Sequence, residues 1–450
     1  MTTLEQFMED TLRKVPIEPI RLDPPVPIAS LPTPALVLDL DIFESNLEKM
    51  QQHVQKHGLG LRGHTKMHKS PIIARKQIEN GALGVCAATV SEAEVMLAGG
   101  VDNILITSPV VTADKIARVI AMAAHSAELR IVVDHIKGAE QFNAAAEQAG
   151  VHLKVLIDLD PGMGRTGIAC GDPALALGQY IVDECPCLTF SGLQMYIGNC
   201  MHIKGFEKRR AKYVELLAPG IETRALFQAN GIVVDVFSGG GTGTFDIEPG
   251  IGALTELQAG SYAFMDVEYR DIGGQVGELF DAFEPSLFVL VTAISQPQTR
   301  LITVDAGYKS FASDSVAPQF RDIEGVVYHW GGDEHGIVRL NNPSRDIQLG
   351  DRLTMLTPHC DPTVNLYDFY FPYRNGLVEE IWPISARGKS QCQLQYPGLK
   401  ILKSGTTIAT SPQLLLLRDM PLFTRRCLVI DCVCRWIMCS RNVSPDILEH

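Results

Sequence analysis

Between about residues 40 and 265 the chain alternates two hydrophobic rhythms, and that alternation predicts its architecture. Short apolar runs of strand length recur at Gly60–Gly63, Leu83–Ala87, Asn103–Thr107, Leu129–Val133, Leu153–Asp158, Leu188–Met195, Val233–Phe237 and Leu254–Leu257. The stretches between them place apolar residues three and four positions apart, as in Asp41–Val54, Ser91–Ala98 and Ala113–Ala124, which predicts amphipathic helices. Eight strand–helix alternations predict an α/β fold: a closed, TIM-like parallel (β/α)8 barrel in preference to an open doubly wound sheet. After about residue 285 the period shortens. Leu287–Ser295, Arg300–Val304, Gly325–Val327, Gly336–Leu340 and Asp351–Leu356 read as strands punctuated by Pro, Gly, Asn and Asp, so a second, mostly β domain is expected at the C-terminal side. The expected plan is an N-terminal arm over 1–30, a barrel over 31–285, a β-rich domain over 286–390 and an atypical tail over 391–450. Residues 35–40 are also strand-like and are a candidate to pair with the β domain.

Composition narrows the class. At 450 residues the chain suits two domains, and 46% hydrophobic with 20% charged residues describes a soluble globular protein with ample apolar material. A formal charge of −13 argues against nucleic acid or an anionic membrane as partner. No run of about 18 apolar residues occurs. Met1–Lys14 carries Glu5, Glu9 and Asp10 without an apolar core, so no secretory signal is expected either. Six of the eleven cysteines are scattered through the first 360 residues, as buried thiols of a reducing compartment would be. A cytoplasmic enzyme acting on a small molecule is the expectation. The other five (Cys392, Cys427, Cys432, Cys434, Cys439) fall in the tail, where no well-spaced fourth ligand supports a metal cluster, and the tail is assigned no function.

Two short segments carry candidate chemistry. In His64-Thr65-Lys66-Met67-His68-Lys69, Lys66 follows the first predicted strand, and a lysine at a strand end can form a Schiff base with an aldehyde cofactor. Lys69 is the competing lysine. Tyr196 closes the sixth strand, Ser238-Gly239-Gly240-Gly241 the seventh and Gly260-Ser261-Tyr262 the eighth, at the end where barrels do their chemistry. A glycine-rich strand end can cradle a phosphate with backbone N–H groups. Alone, such a run is as often a tight turn; its place after strand seven is what raises it. A lysine on strand one and a phosphate at strands seven and eight together suit pyridoxal 5′-phosphate (PLP). In His359-Cys360-Asp361 the imidazole and carboxylate, two residues apart, would share one face of a strand with Cys360 on the other, and could hold a divalent cation. By itself, a lone histidine of this kind is more often unliganded.

Thr33-Pro34-Ala35-Leu36-Val37-Leu38-Asp39, the Lys66 segment, Asp160-x-Gly162-Met163-x-Arg165-Thr166-Gly167, Glu334-His335-Gly336 and Pro358-His359-Cys360-Asp361-Pro362-Thr363 together resemble the fold-type III, alanine-racemase-like PLP enzymes. The subgroup they resemble is that of the D-threonine aldolases and their sisters, the eukaryotic-type D-serine dehydratases, over about residues 30 to 390. One departure is visible: Arg62-Gly63-His64 stands where the family commonly has Arg-Pro-His.

The resemblance implies Lys66 as the cofactor lysine and proton handler at Cα. It implies Arg165 at the cofactor's 3′-oxygen or ring edge, Tyr196 against the pyridine ring, and a phosphate held by Ser238, Gly239 and Gly240 with Tyr262. It also implies His202 as general base and a divalent metal on His359 and Asp361. A dehydratase has cysteine where Asp361 stands, and an oxygen there favours manganese or magnesium over zinc. The implied activity is retro-aldol cleavage of D-threonine and related D-β-hydroxy-α-amino acids to glycine and an aldehyde, by a homodimer. From the residues alone, Tyr196 also reads as packing at the barrel mouth, Arg165 as a surface ion-pair partner and His202 as an unengaged loop histidine. A metal-dependent D-serine dehydratase and a non-catalytic PLP carrier stay open as alternatives; the β-rich segment weighs against the carrier.

Overall fold

Period-two alternation of side chains builds the centre of the molecule, a closed barrel of eight parallel strands. The computed structural model describes residues 16–389, so the tail over 391–450 and its cysteines lie outside the described residues. The strands, one to eight, are Gly60–His64, Gly84–Ala87, Ile104–Ile106, Arg130–Val133, Leu153–Asp158, Leu188–Met195, Val236–Gly239 and Glu256–Leu257. Strand eight pairs with both strand seven and strand one and closes the ring. Val85, Ile104, Ile106, Ile131, Val133, Val155 and Ile157 face outward into the main core with the helices. Cys86, Leu105, Val132 and Leu156 face inward and fill the barrel's middle with a small apolar layer of their own.

Helices return the chain between strands, and their ends are read from local chemistry. Leu40–Lys56 starts where the Asp39 carboxylate accepts from the Ile42 N–H at 3.4 Å, and it buries Phe43, Leu47, Met50 and Val54 at helical spacing. Val90–Ala98 is capped by Thr89, whose hydroxyl accepts from the Glu92 N–H.

A ten-stranded sheet forms the second layer. Its long central strand, Leu287–Gln298, pairs with Arg352–Leu356, Leu301–Val304 and Ala35–Asp39. Ala35–Asp39 is thus a strand of this sheet, and its other edge pairs in parallel with Phe369–Arg374. The expected N-terminal arm differs from the observed chain: Ile20–Pro27 is an edge strand, antiparallel to Leu377–Pro383. Its prolines are tolerated because an edge strand need not donate every N–H to a neighbour. A second difference concerns the metal-candidate segment. His359 and Asp361 do not share a strand face. His359 stands extended at the N-cap of a short helix, Cys360–Val364, and Asp361 lies in its first turn. Pro362 suits that first turn, where a missing N–H costs nothing.

Candidate active site

The C-terminal rim of the barrel gathers the polar residues. Lys66 sits in a turn just past strand one, and that turn is tied from several directions. The Thr65 hydroxyl donates to Cys86 O at 2.9 Å, and Lys69 N donates to Thr65 O at 2.7 Å. The Tyr370 hydroxyl reaches across from the β sheet to donate to His68 O at 2.7 Å, and Ala386 N donates to Lys69 O at 2.9 Å. His64 and His68 flank Lys66 and are both buried; burial pushes the His64 imidazole well below its usual pKa and His68 down to about 3. Both are therefore neutral at ordinary pH. The competing Lys69 is paired with the buried carboxylate of Glu92.

Lys66 opens into a cavity of about 220 Å³ that Arg165 and Tyr196 also line, together with His64, Thr107, Gln194 and Gln258. The Arg165 guanidinium lies over the Tyr196 ring, 5.3 Å from its centroid. Its loop is folded around Asp160, whose carboxylate accepts from the N–H groups of Gly162, Met163 and Gly164. Gly167 closes that loop at φ +103°, where a Cβ would stand 2.5 Å from Asp160 N.

The glycine turns adjoin this cavity. A Cβ on Gly241 would crowd Met201 and come within 3.6 Å of the Tyr196 ring, and one on Gly260 would meet His64 O at 2.9 Å. Two expected phosphate ligands have partners within the protein. The Ser238 hydroxyl donates to Glu256 Oε1 at 2.7 Å inside the barrel, and the Tyr262 hydroxyl accepts from Gln77 Nε2 at 3.1 Å. Burial takes the Tyr262 phenol above the ordinary range. Ser238 thereby gives its proton away inside the barrel, whereas Tyr262, which only accepts from Gln77, keeps its own O–H to donate. An anionic aldehyde cofactor fits this set: a lysine, an arginine beside an aromatic ring, and turns into which only glycine fits.

The metal-candidate residues hang over the mouth. Asp266, buried just after strand eight, accepts from Tyr269 N and from Cys360 N, each at 2.9 Å, and so joins the barrel rim to the His359 helix. Burial raises its pKa to about 6. Across that junction Lys66 Nζ lies 3.2 Å from Asp361 Oδ2. Asp361 holds the Lys66 ammonium above its usual pKa, against the effect of burial. His359 Nδ1 is 2.8 Å from Asp314 Oδ2. Burial opposes its charge, but Asp361, Asp266 and Asp314 outweigh it and raise its pKa. His202 stands 3.9 Å from Glu268 Oε2, packs on Tyr269 and is lowered in pKa by burial.

Among the described residues no group of three or more His, Cys, Asp or Glu side chains is drawn together as a metal site. The donors nonetheless suit a hard divalent ion in type. Asp361 Oδ1 and Glu268 Oε2 are buried without a hydrogen-bond partner among the described residues, close to the His359 imidazole.

Sequence reasoning missed His64, Thr107, Gln194, Gln258, Glu268 and Asp314. Gln194 and Gln258 were marked by being amides at the ends of apolar strand runs. Glu268 and Asp314 carried no signal, because they arrive on loops.

Fold and site define a barrel protein with Lys66 in its mouth just past strand one, where Asp361 of the β domain meets it. Residues 38–267 match the family described as alanine racemase, N-terminal domain, and residues 286–373 match the putative serine dehydratase domain. A D-threonine aldolase of Arthrobacter sp. is 39% identical over 379 residues, 83% of this chain and 99% of that one. A 3-hydroxy-D-aspartate aldolase of Paracoccus denitrificans is 37% identical, over 80% of this chain and 93% of the relative. The crystal structure of D-threonine aldolase from Filomicrobium marinum superposes with a TM-score of 0.78 at 37% identity, covering 82% of this chain and 99% of that one. D-serine dehydratases of yeasts are more distant relatives. The chain belongs to the alanine-racemase-like family of fold-type III PLP enzymes, on its D-threonine aldolase side.

Proposed function

We propose that this chain is a PLP- and divalent-metal-dependent aldolase that cleaves D-threonine and related D-β-hydroxy-α-amino acids to glycine and an aldehyde. The observation that carries the reading is the meeting of Lys66 and Asp361, 3.2 Å apart, which sets a cofactor lysine beside a metal-type carboxylate at one barrel mouth. When bound, PLP supplies an electron sink for charge developing at Cα, and the cation lowers the pKa of the substrate's β-hydroxyl. Lys66 would hold the cofactor and move the proton at Cα. Arg165 would face the cofactor's 3′-oxygen or ring edge, Tyr196 would help hold the pyridine ring, and Ser238, Gly239 and Gly240 with Tyr262 would hold the phosphate. His359 and Asp361 would hold the metal, with Glu268 adjacent.

His202 takes the β-hydroxyl proton. Its burial lowers its pKa, so the imidazole is neutral, and able to accept, at neutral pH. Oxygen at position 361 supports manganese or magnesium rather than zinc, and with it cleavage rather than elimination of water. The reading includes a cytoplasmic homodimer.

The test incubates purified protein with PLP, manganese and either D-threonine or 3-hydroxy-D-aspartate. Acetaldehyde with equimolar glycine from D-threonine is expected. 2-Oxobutanoate in place of acetaldehyde would make the chain a dehydratase, and no turnover of either substrate would defeat the proposal. Borohydride reduction and peptide mapping should find the pyridoxyl group on Lys66 and not on Lys69.

A further inference from the structure

A chain of side-chain amides crosses the floor of the cavity, and its direction is fixed. Gln194, on strand six, donates from its Nε2 to Thr107 O at 3.0 Å, a backbone carbonyl that cannot reverse, and to Asp158 Oδ1 at 2.8 Å. Its Oε1 is therefore turned toward strand eight, where it accepts from Gln258 Nε2 at 3.0 Å. The second N–H of Gln258 goes to Ser238 Oγ at 2.9 Å. Ser238 cannot return a proton to that amide, because its own O–H is given to Glu256 Oε1 at 2.7 Å and Glu256 is held charged by Arg62. Gln258 is thus left with one free polar atom, its carbonyl oxygen. Gln258 lines the cavity, and among the described residues nothing hydrogen-bonds to that oxygen.

This amide pair thus presents the cavity with an acceptor and no free donor. The reading above sets Lys66 at the cofactor's aldehyde, Arg165 at its 3′-oxygen or ring edge and the glycine turns at its phosphate. The ring nitrogen can meet the free oxygen of Gln258 only if it carries a proton.

We infer that Gln258 contacts the ring nitrogen of PLP through its carbonyl oxygen and keeps that nitrogen protonated, with Gln194 and Ser238 as positioning residues that hold the amide in this orientation. A protonated ring draws charge from Cα more strongly than a neutral one, which is what breaking a carbon–carbon bond requires. Asp158, raised to about 6 by burial against the hydrogen bonds from Gln194 and Thr166, lies at the far end of the relay.

The inference rests on the proposal that the cavity takes PLP, and the experiment separates the two. Holoenzyme is reconstituted with ring-¹⁵N-labelled PLP, and the nitrogen resonance is read at neutral pH in the wild type and in Gln258→Arg. The wild type should lie at the pyridinium position, and the arginine variant, which presents only donors, should move to the neutral-pyridine position. In parallel, cofactor-free wild type is titrated with PLP and with the analogue whose ring nitrogen is replaced by carbon. The analogue should bind at least about tenfold more weakly, as loss of a charge-assisted hydrogen bond implies. This arm needs no variant, so it stands if Gln258→Arg does not fold. A bound cofactor with a neutral ring nitrogen, or equal affinity for PLP and analogue, overturns the inference alone. Failure of PLP to attach at Lys66 overturns the proposal beneath it as well.

Discussion

Tyr370→Phe removes a single oxygen from a fully buried side chain, and that oxygen is a tie between the β sheet and the turn that carries Lys66. The hydroxyl donates to His68 O at 2.7 Å across 302 residues of chain. Phenylalanine keeps the ring and its packing against Phe264, so the change leaves a buried carbonyl without its partner and little else. Such a loss costs about 1–2 kcal/mol of stability. The same deletion at Tyr328, whose hydroxyl donates to Ala306 O at 2.9 Å, removes an equivalent bond inside the β sheet, away from the lysine turn.

The two variants should therefore lose similar stability, read as the midpoint of urea unfolding of the cofactor-free proteins. Only Tyr370→Phe should also slow D-threonine cleavage, by about ten- to a hundredfold, since slight misplacement of a reacting group is enough for that. It should also release PLP faster on dilution, followed by visible absorbance. Equal losses of activity in both variants, or a fully active Tyr370→Phe, would show that the tie does not position Lys66.

Asp361→Ala should keep the cofactor absorbance yet lose most cleavage activity; full activity after chelation of the parent would show that Asp361 and His359 hold no catalytic metal. The pH profile of kcat should place its acid limb below 6.5, the ordinary imidazole value, because buried His202 accepts a proton only when neutral and its pKa is lowered. A limb at or above that value, or one retained in His202→Asn, would exclude His202 as the base. Arg62→Met should destabilise the fold by about 3–5 kcal/mol by stranding the buried Glu256 carboxylate, which Arg62 meets at 2.9 and 3.1 Å. Adding Glu256→Met should recover part of that loss in denaturant unfolding; a single variant as stable as the parent would mean that Glu256 is already neutral.

Hydrophobic period made most of the barrel legible, since strands such as Ile104–Ile106, Arg130–Val133 and Leu153–Asp158 are largely buried apolar runs, although Gly60–His64 and Glu256–Leu257 bury Arg62, His64 and Glu256. It failed where strands carry proline. The edge strand Ile20–Pro27 carries Pro24, Pro25 and Pro27, and the interior strand Phe369–Arg374 carries Pro372 where its register shifts between Tyr370 and Tyr373, so both read as irregular chain. Within the site, Lys66, Arg165 and Tyr196 were readable because each ends a strand or its following loop. The partners of the Ser238 and Tyr262 side chains were not legible from their positions along the chain. Which way a side chain turns depends on neighbours such as Glu256 and Gln77, which lie far off in sequence. His359-Cys360-Asp361 starts a helix rather than a strand because Pro362 suits a first helical turn.

The parallel pairing of Val37 with Phe371 has a consequence for how a ribosome delivers this molecule. A strand made near the start of synthesis waits for a partner made near the end of the described chain, while the whole barrel sequence emerges between them. Non-local pairing of this kind is slow to close. The nascent chain therefore exposes a nearly finished barrel whose lysine turn still lacks Tyr370 and whose mouth still lacks His359 and Asp361. A chain interrupted before His359 would carry Lys66 without Tyr370, which ties its turn, and without Asp361, which pairs with its ammonium.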